Sequence, residues 1–204
     1  MSDIRGSFGW LSMEDGPLGQ IYGVSFVRGL SPHEVFARLD VDVETIEEKT
    51  FEELEDDAYE YVEESNGSYA GYVGAVEVDG WTVLIEPSDW RVALEPGVLD
   101  RLSRGTEVVS VDRHAYASDN FVHAVDGDVV TRFEPSAPHL RSGGDPDRWV
   151  SQMRDVGLGR RTSDDPAPDD HIASTFALVS IITGIGFSPE VLDMTFLGAA
   201  IREQ

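Results

Sequence analysis

The sequence predicts an α+β fold, a mainly antiparallel sheet of about five or six strands with helices packed on one face. Three observations carry this expectation. Apolar runs of strand character are joined by Asp-Gly turns at Asp79-Gly80 and near Asp126-Gly127-Asp128, as in β-hairpins. Segments with helical spacing open on capping signals, Ser31-Pro32-His33-Glu34 and Thr50-Phe51-Glu52-Glu53. No regular strand-helix-strand alternation supports a doubly wound parallel sheet.

Taken in order, Phe8, Trp10 and Leu11 ahead of Asp15-Gly16-Pro17 predict a short helix or docked arm ending in a turn. Ile21 to Val27 is β-branched and aromatic and stops at Gly29, which predicts a strand. Ser31 then caps a helix with Val35, Phe36 and Leu39 on its apolar side, and Thr50 caps a second with Phe51, Leu54, Ala58, Tyr61 and Val62 at helical spacing. Ser68 to Glu86 reads as a hairpin about Asp79-Gly80. A two-residue type I′ loop there pairs Val78 with Trp81, Val76 with Val83 and Gly74 with Ile85.

Pro96 and Gly105 bracket a short helix carrying Val98, Leu99 and Leu102, and Glu107 to Ala115 and Asn120 to Phe133 supply three more strands. The last turn centres on either Asp126-Gly127 or Gly127-Asp128, so its register stays open. Asp145-Pro146 opens a helix with Trp149, Val150 and Met153, Asp170 precedes a buried helix from Ile172 to Ile182, and Ser188-Pro189 caps a last short one through Leu192. The expected organisation is one domain over residues 1–204, with an acidic helical insert at about 42–64, a flexible loop at about 159–169 and C-terminal helices over about 170–204.

Hydrophobic residues make up 41% of the 204, and charged residues 26%, so the chain carries enough apolar content to bury a core. The absence of cysteine excludes a disulfide framework, a thiolate metal site and a cysteine nucleophile. The N-terminus lacks the basic-then-apolar run of a signal peptide, and no apolar stretch is long enough to span a bilayer, so a cytoplasmic location is expected. A net charge of −24 repels nucleic acid and anionic membranes, and points to a basic protein as the natural partner. No cofactor is expected.

The run from Gly71 to Pro87, with Phe26-Val27-Arg28-Gly29-Leu30-Ser31-Pro32 before it, resembles an uncharacterised actinobacterial domain family with a Gly-Tyr-Val-Gly-Ala-Val motif ahead of Gly-Trp-Thr. Leu99 to Val111 is similar to that family's following helix and strand, and Phe133-Glu134-Pro135 to its closing strand. The resemblance implies a single domain from an actinobacterial cytoplasm. It brings no functional residues.

No catalytic or nucleotide-binding signature is present. Gly71-x-x-Gly74 is explained by close packing within a strand, and Gly184-x-Gly186 by the stop of the preceding helix. Asp112, His114, Asp119 and His123 form the most site-like cluster. A short connection between their strands brings two imidazoles and a carboxylate together, suited to zinc or general-base chemistry, against the alternative of a solvated hairpin. His33, His139 and His171 read as surface or capping residues, Arg160-Arg161 as a solvated pair, and Trp90 as the candidate exposed anchor.

The strongest signal is acidic. From Asp42 to Glu64 twelve carboxylates face one base, Lys49, a net charge of −11. Glu47, Glu48, Glu52, Glu53, Asp56, Asp57, Glu60 and Glu64 are the residues predicted to meet a basic partner. Like charges at i,i+4 (Glu52 with Asp56, Asp56 with Glu60, Glu60 with Glu64) each cost an isolated helix roughly 0.2–0.5 kcal/mol. Against a functional surface stands the solubility of an acidic proteome.

Overall fold

The computed structural model describes residues 4–13, 15–64, 71–89, 92, 95–114, 116, 118–159, 162, 165 and 170–201. Trp90, Arg160, Arg161 and most of the expected 159–169 loop lie outside these residues.

Among the described residues eight antiparallel strands form one sheet: β1 (Ile21–Arg28), β2 (Glu47–Lys49), β3 (Tyr72–Val78), β4 (Trp81–Pro87), β5 (Glu107–His114), β6 (Asn120–Val125), β7 (Asp128–Phe133) and β8 (Phe196–Ala200). Their spatial order is β2-β8-β3-β4-β1-β5-β6-β7. Among the described residues five α-helices accompany them: α1 (Pro32–Leu39), α2 (Phe51–Glu64), α3 (Pro96–Ser103), α4 (Val150–Asp155) and α5 (His171–Thr183).

Both Asp-Gly turns are tight hairpins with positive φ at each residue, Asp79 and Gly80 at 48° and 79°, Asp126 and Gly127 at 51° and 90°. This is the mirror-image turn that matches strand twist. It fixes the pairing of Val78 with Trp81, Val76 with Val83 and Gly74 with Ile85 as the sequence predicts, and it centres the β6-β7 turn on Asp126-Gly127, with Val125 opposite Asp128.

The sheet exceeds the expected five or six strands because β2 and β8 pair with each other, and β8 with β3. Neither has the composition of a strand. Glu47-Glu48-Lys49 is charged throughout, and Phe196-Leu197-Gly198-Ala199-Ala200 carries no β-branched residue. The chain after residue 195 is therefore a strand where C-terminal helices are expected, and Pro189–Val191 is a single 3-10 turn.

Helices cover both faces, not one. Tyr22, Val24, Phe26, Val83, Ile85, Val109 and Phe121 point to a first face, packed beneath α2, α4, α5 and the N-terminal 3-10 segment Ile4–Ser12. Val27, Leu84, Val108, Val122 and Ala199 point to the second, under Phe36 and Leu39 of α1 and Leu99 and Leu102 of α3. Burial on both faces explains why β4 is buried along its whole length and reads as a continuous apolar run.

Both predicted capping boxes form. Ser31 N and Thr50 N donate to Glu34 and Glu53 at 2.8 Å each, and the returning bonds from Glu34 N and Glu53 N are 3.4 and 3.3 Å. Asp170 caps α5 through Ala173 N at 2.9 Å, and Gly184 ends it in the left-handed conformation, as its position predicts. None of the described helices is long and apolar enough to cross a membrane.

Candidate functional site

The four residues of the predicted Asp/His cluster are divided by strand alternation. Asp112 and His114 share the second face, because residues two apart on β5 do, while His123 pairs opposite Val109 on the first. Asp119 stays beside His114, through a backbone bond from His114 N to Asp119 Oδ1 at 2.9 Å, and its charge acts on Asp112. Among the described residues no three metal-ligating side chains converge.

Asp119 instead recruits His171, the first residue of α5, whose Nε2 lies 2.8 Å from Oδ2. Reading His171 as a lone surface histidine misses this contact, since 52 residues of sequence separate the two. The same end of the sheet is closed by Ser12 Oγ donating to Asp170 at 2.6 Å, and by Arg113 donating to the carbonyls of Leu11 and Ser12 at 2.5 and 3.2 Å. Between these groups lies a cleft of about 530 Å³ that also exposes Ser118, Glu134 and Ser136. Its imidazole, carboxylates and hydroxyls suit a polar ligand.

His123 has a structural task. It is fully buried, its Nε2 is 2.8 Å from Glu107 Oε1, and its Nδ1 accepts from Trp149 Nε1 at 3.1 Å. An accepting Nδ1 fixes the proton on Nε2 and the ring as neutral. Burial lowers its pKa below the ordinary 6.5, against the Glu107 hydrogen bond and charge that raise it. A histidine held neutral supplies stability above its unfolded pKa and loses it as pH falls from there. Acidification through this lowered pKa, below the ordinary imidazole range, is thus expected to break the Trp149 bond and shift tryptophan emission, a transition absent from His123→Ala; an unchanged profile in that variant would assign the transition elsewhere.

Asp112 is fully buried. It accepts from Asn120 Nδ2 at 3.2 Å through one oxygen, and its Oδ1 has no hydrogen-bond partner. Across β1 it faces Gly23, and beyond Gly23 lies the equally buried Glu86, so that two carboxyls flank a glycine. Burial pushes Asp112 up to about 7.

A family model described as "Family of unknown function (DUF6461)" matches residues 2–204. The chain belongs to DUF6461. No curated protein and no solved structure matches it.

In this DUF6461 member the acidic segment runs through a 3-10 turn (Val43–Thr45), edge strand β2 and helix α2. Leu54 is buried on the α2 underside and seats the helix in the space above Gly74, where a Cβ would lie 2.3 Å from Leu54 Cδ2. Gly74 thus admits a helix against the strand, while Gly71 precedes β3. Glu52, Asp56 and Glu60 point outward in one line, and Glu63, Glu47 and Glu48 are also exposed. Glu53 is occupied by its cap, and Lys49 holds Glu47 and Asp57 at 2.7 and 2.8 Å, so the segment's only base is already neutralised. The Glu64 side chain lies outside the described residues.

Crowding of like charge is visible at Glu55. It is half-buried, and burial, then Asp56, then Glu52, push it up to about 7. The charged edge also blunts strand addition at β2, since ionised side chains on an edge strand oppose further pairing.

Proposed function

We propose that this protein is a non-enzymatic interaction protein that docks a basic protein partner on the acidic surface of β2 and α2. An immunity protein against a basic toxin, or a regulator of a nucleic-acid-binding protein whose site the carboxylates mimic, fits this reading. The observation that carries it is the exposed row Glu52, Asp56 and Glu60, beside a lysine already engaged by Glu47 and Asp57. Such a surface accelerates association with a basic patch, and does so less as salt screens it.

The test uses Glu52→Lys/Glu60→Lys, which leaves the Glu53 cap and the Lys49 pairs in place. It turns two repelling i,i+4 pairs into attracting ones about Asp56, which offsets the loss of an acid from the first turn of the helix. The native chain should retain a basic protein from lysate of its source cells and release it in about 0.5 M salt, where the Debye length is well under 10 Å. The variant should retain it at least about tenfold less, with an unchanged melting temperature; a tenfold loss corresponds to about 1.4 kcal/mol. Equal capture by the variant would end the proposal. Displacement of the partner by duplex DNA would support the mimic version. A native chain that only loosens at low ionic strength, and captures nothing, would assign the charge to salt adaptation.

A second reading, a hydrolase, draws on the Asp119-His171 pair beside the hydroxyls of the polar cleft. Nε2 bonded to the carboxylate leaves Nδ1 as the ring's basic atom, the arrangement a general base requires. Any turnover should then disappear in His171→Ala and survive His123→Ala.

A further inference from the structure

We infer that the clustered ends of α1 and α3 form a binding site for a phosphate group. The site lies on the second face of the sheet and is independent of the acidic surface. Arg38, in the last turn of α1, donates through Nη1 to the carbonyls of Arg101, Leu102 and Arg104 at 3.3, 2.9 and 2.7 Å. Arg101, in the last turn of α3, donates in return through Nε to the carbonyl of Arg38 at 3.1 Å. Each arginine therefore caps the other's helix, where unpaired carbonyls and the negative dipole end favour a cation.

Reciprocal capping leaves the pair ready for an anion. These bonds of Arg38 and Arg101 go to carbonyl oxygens, which hold both guanidiniums in place without neutralising them. Their remaining N–H groups are pre-positioned, and the rotamer entropy of two long side chains is lost on folding and not on binding. Nη2 of Arg101 is buried with no hydrogen-bond partner, a state unfavourable for a charged donor. A small rotation of the Arg101 guanidinium toward the cleft would bring this donor to an acceptor bound there.

The space for it exists. Arg38, Arg101 and Arg104 line a cleft of about 550 Å³ with Ala37 and Asp40. Ala37 is too short to fill it. Arg104 is exposed and bound to Asp100 through Nη2 at 2.5 Å, which leaves its Nε and Nη1 for a ligand. Three arginines line this cleft on a chain of net charge −24 whose 15 basic residues include a single lysine. Forked N–H donors match the oxygens of a tetrahedral oxyanion.

The experiment follows the arginine Nε–H signals of the whole protein by NMR during titration with inorganic phosphate, and then with pyrophosphate, at constant ionic strength. Saturable shifts of the Arg101 and Arg104 signals are expected, with no matching response to chloride. Arg104→Ala should weaken phosphate binding about tenfold, the loss of one charge-assisted hydrogen bond, and should leave the melting temperature unchanged because its side chain caps neither helix. Shifts that grow linearly with both phosphate and chloride, or an Arg104→Ala variant that binds as well as the native chain, would overturn the inference.

Discussion

Asp112→Asn is expected to stabilise the protein at pH 8 by about 2 kcal/mol and to leave it nearly unchanged at pH 5. The side chain is fully buried on the second face, and burial is the largest force raising its pKa from 3.8 to about 7. The Asn120 hydrogen bond and the Arg132 charge oppose that rise, while the Asp119 charge adds to it. A carboxyl whose pKa rises on folding favours the folded state while protonated. Its contribution is complete below the unfolded pKa and is lost as pH climbs through the folded value.

Between about pH 4 and pH 7 the native chain should therefore lose stability at this site, by up to about 4 kcal/mol for a carboxyl raised this far. Asparagine cannot ionise, which removes that loss, but it places an amide where the carboxyl Oδ1 has no partner, and this offsets part of the gain. Urea unfolding at pH 5 and pH 8 measures the difference. Parallel pH dependences in native and variant chains would refute it. Glu55, also pushed up to about 7, titrates over the same range, so Glu55→Gln serves as the control that separates the two.

The contact of Leu54 with Gly74 should give the clearest coupling in the fold. Leu54→Ala is expected to cost about 3 kcal/mol by opening a cavity under α2. Gly74→Ala should cost about 2 kcal/mol by overpacking, because its new Cβ would stand 2.3 Å from Leu54 Cδ2 and 3.1 Å from Cδ1. Combined, the added methyl occupies part of the space vacated by the leucine. The double variant should thus be at least about 1 kcal/mol more stable than the sum of the singles predicts. Additive losses in a denaturation cycle would show that α2 is not seated by this contact. Because α2 carries the acidic surface, Gly74→Ala should also weaken partner capture without altering any charge.

Hairpins, caps and charge were legible because each is a local property. Asp79-Gly80 has one favourable turn geometry, and that geometry fixes the register of β3 and β4. Ser31 and Thr50 meet their glutamates three residues on, within one helical turn. The acidity of residues 42–64 is composition, and its outward display follows from the apolar spacing of Phe51, Leu54 and Ala58.

What the sequence alone did not reach depends on contacts between distant segments. Strands β2 and β8 exist because they pair with each other, and neither has the side chains that favour a strand in isolation. Asp126-Gly127 and Gly127-Asp128 are equal turns until β7 takes its place on β6. The Asp/His cluster separates because alternation sends His123 to Trp149 on one face and buries Asp112 on the other, while Asp119 finds His171 52 residues away. Likewise, Arg38 and Arg101 become a pair only when two helices lie side by side. Turn, cap and charge are set by neighbours along the chain, but strand pairing and side-chain convergence are set by neighbours in space.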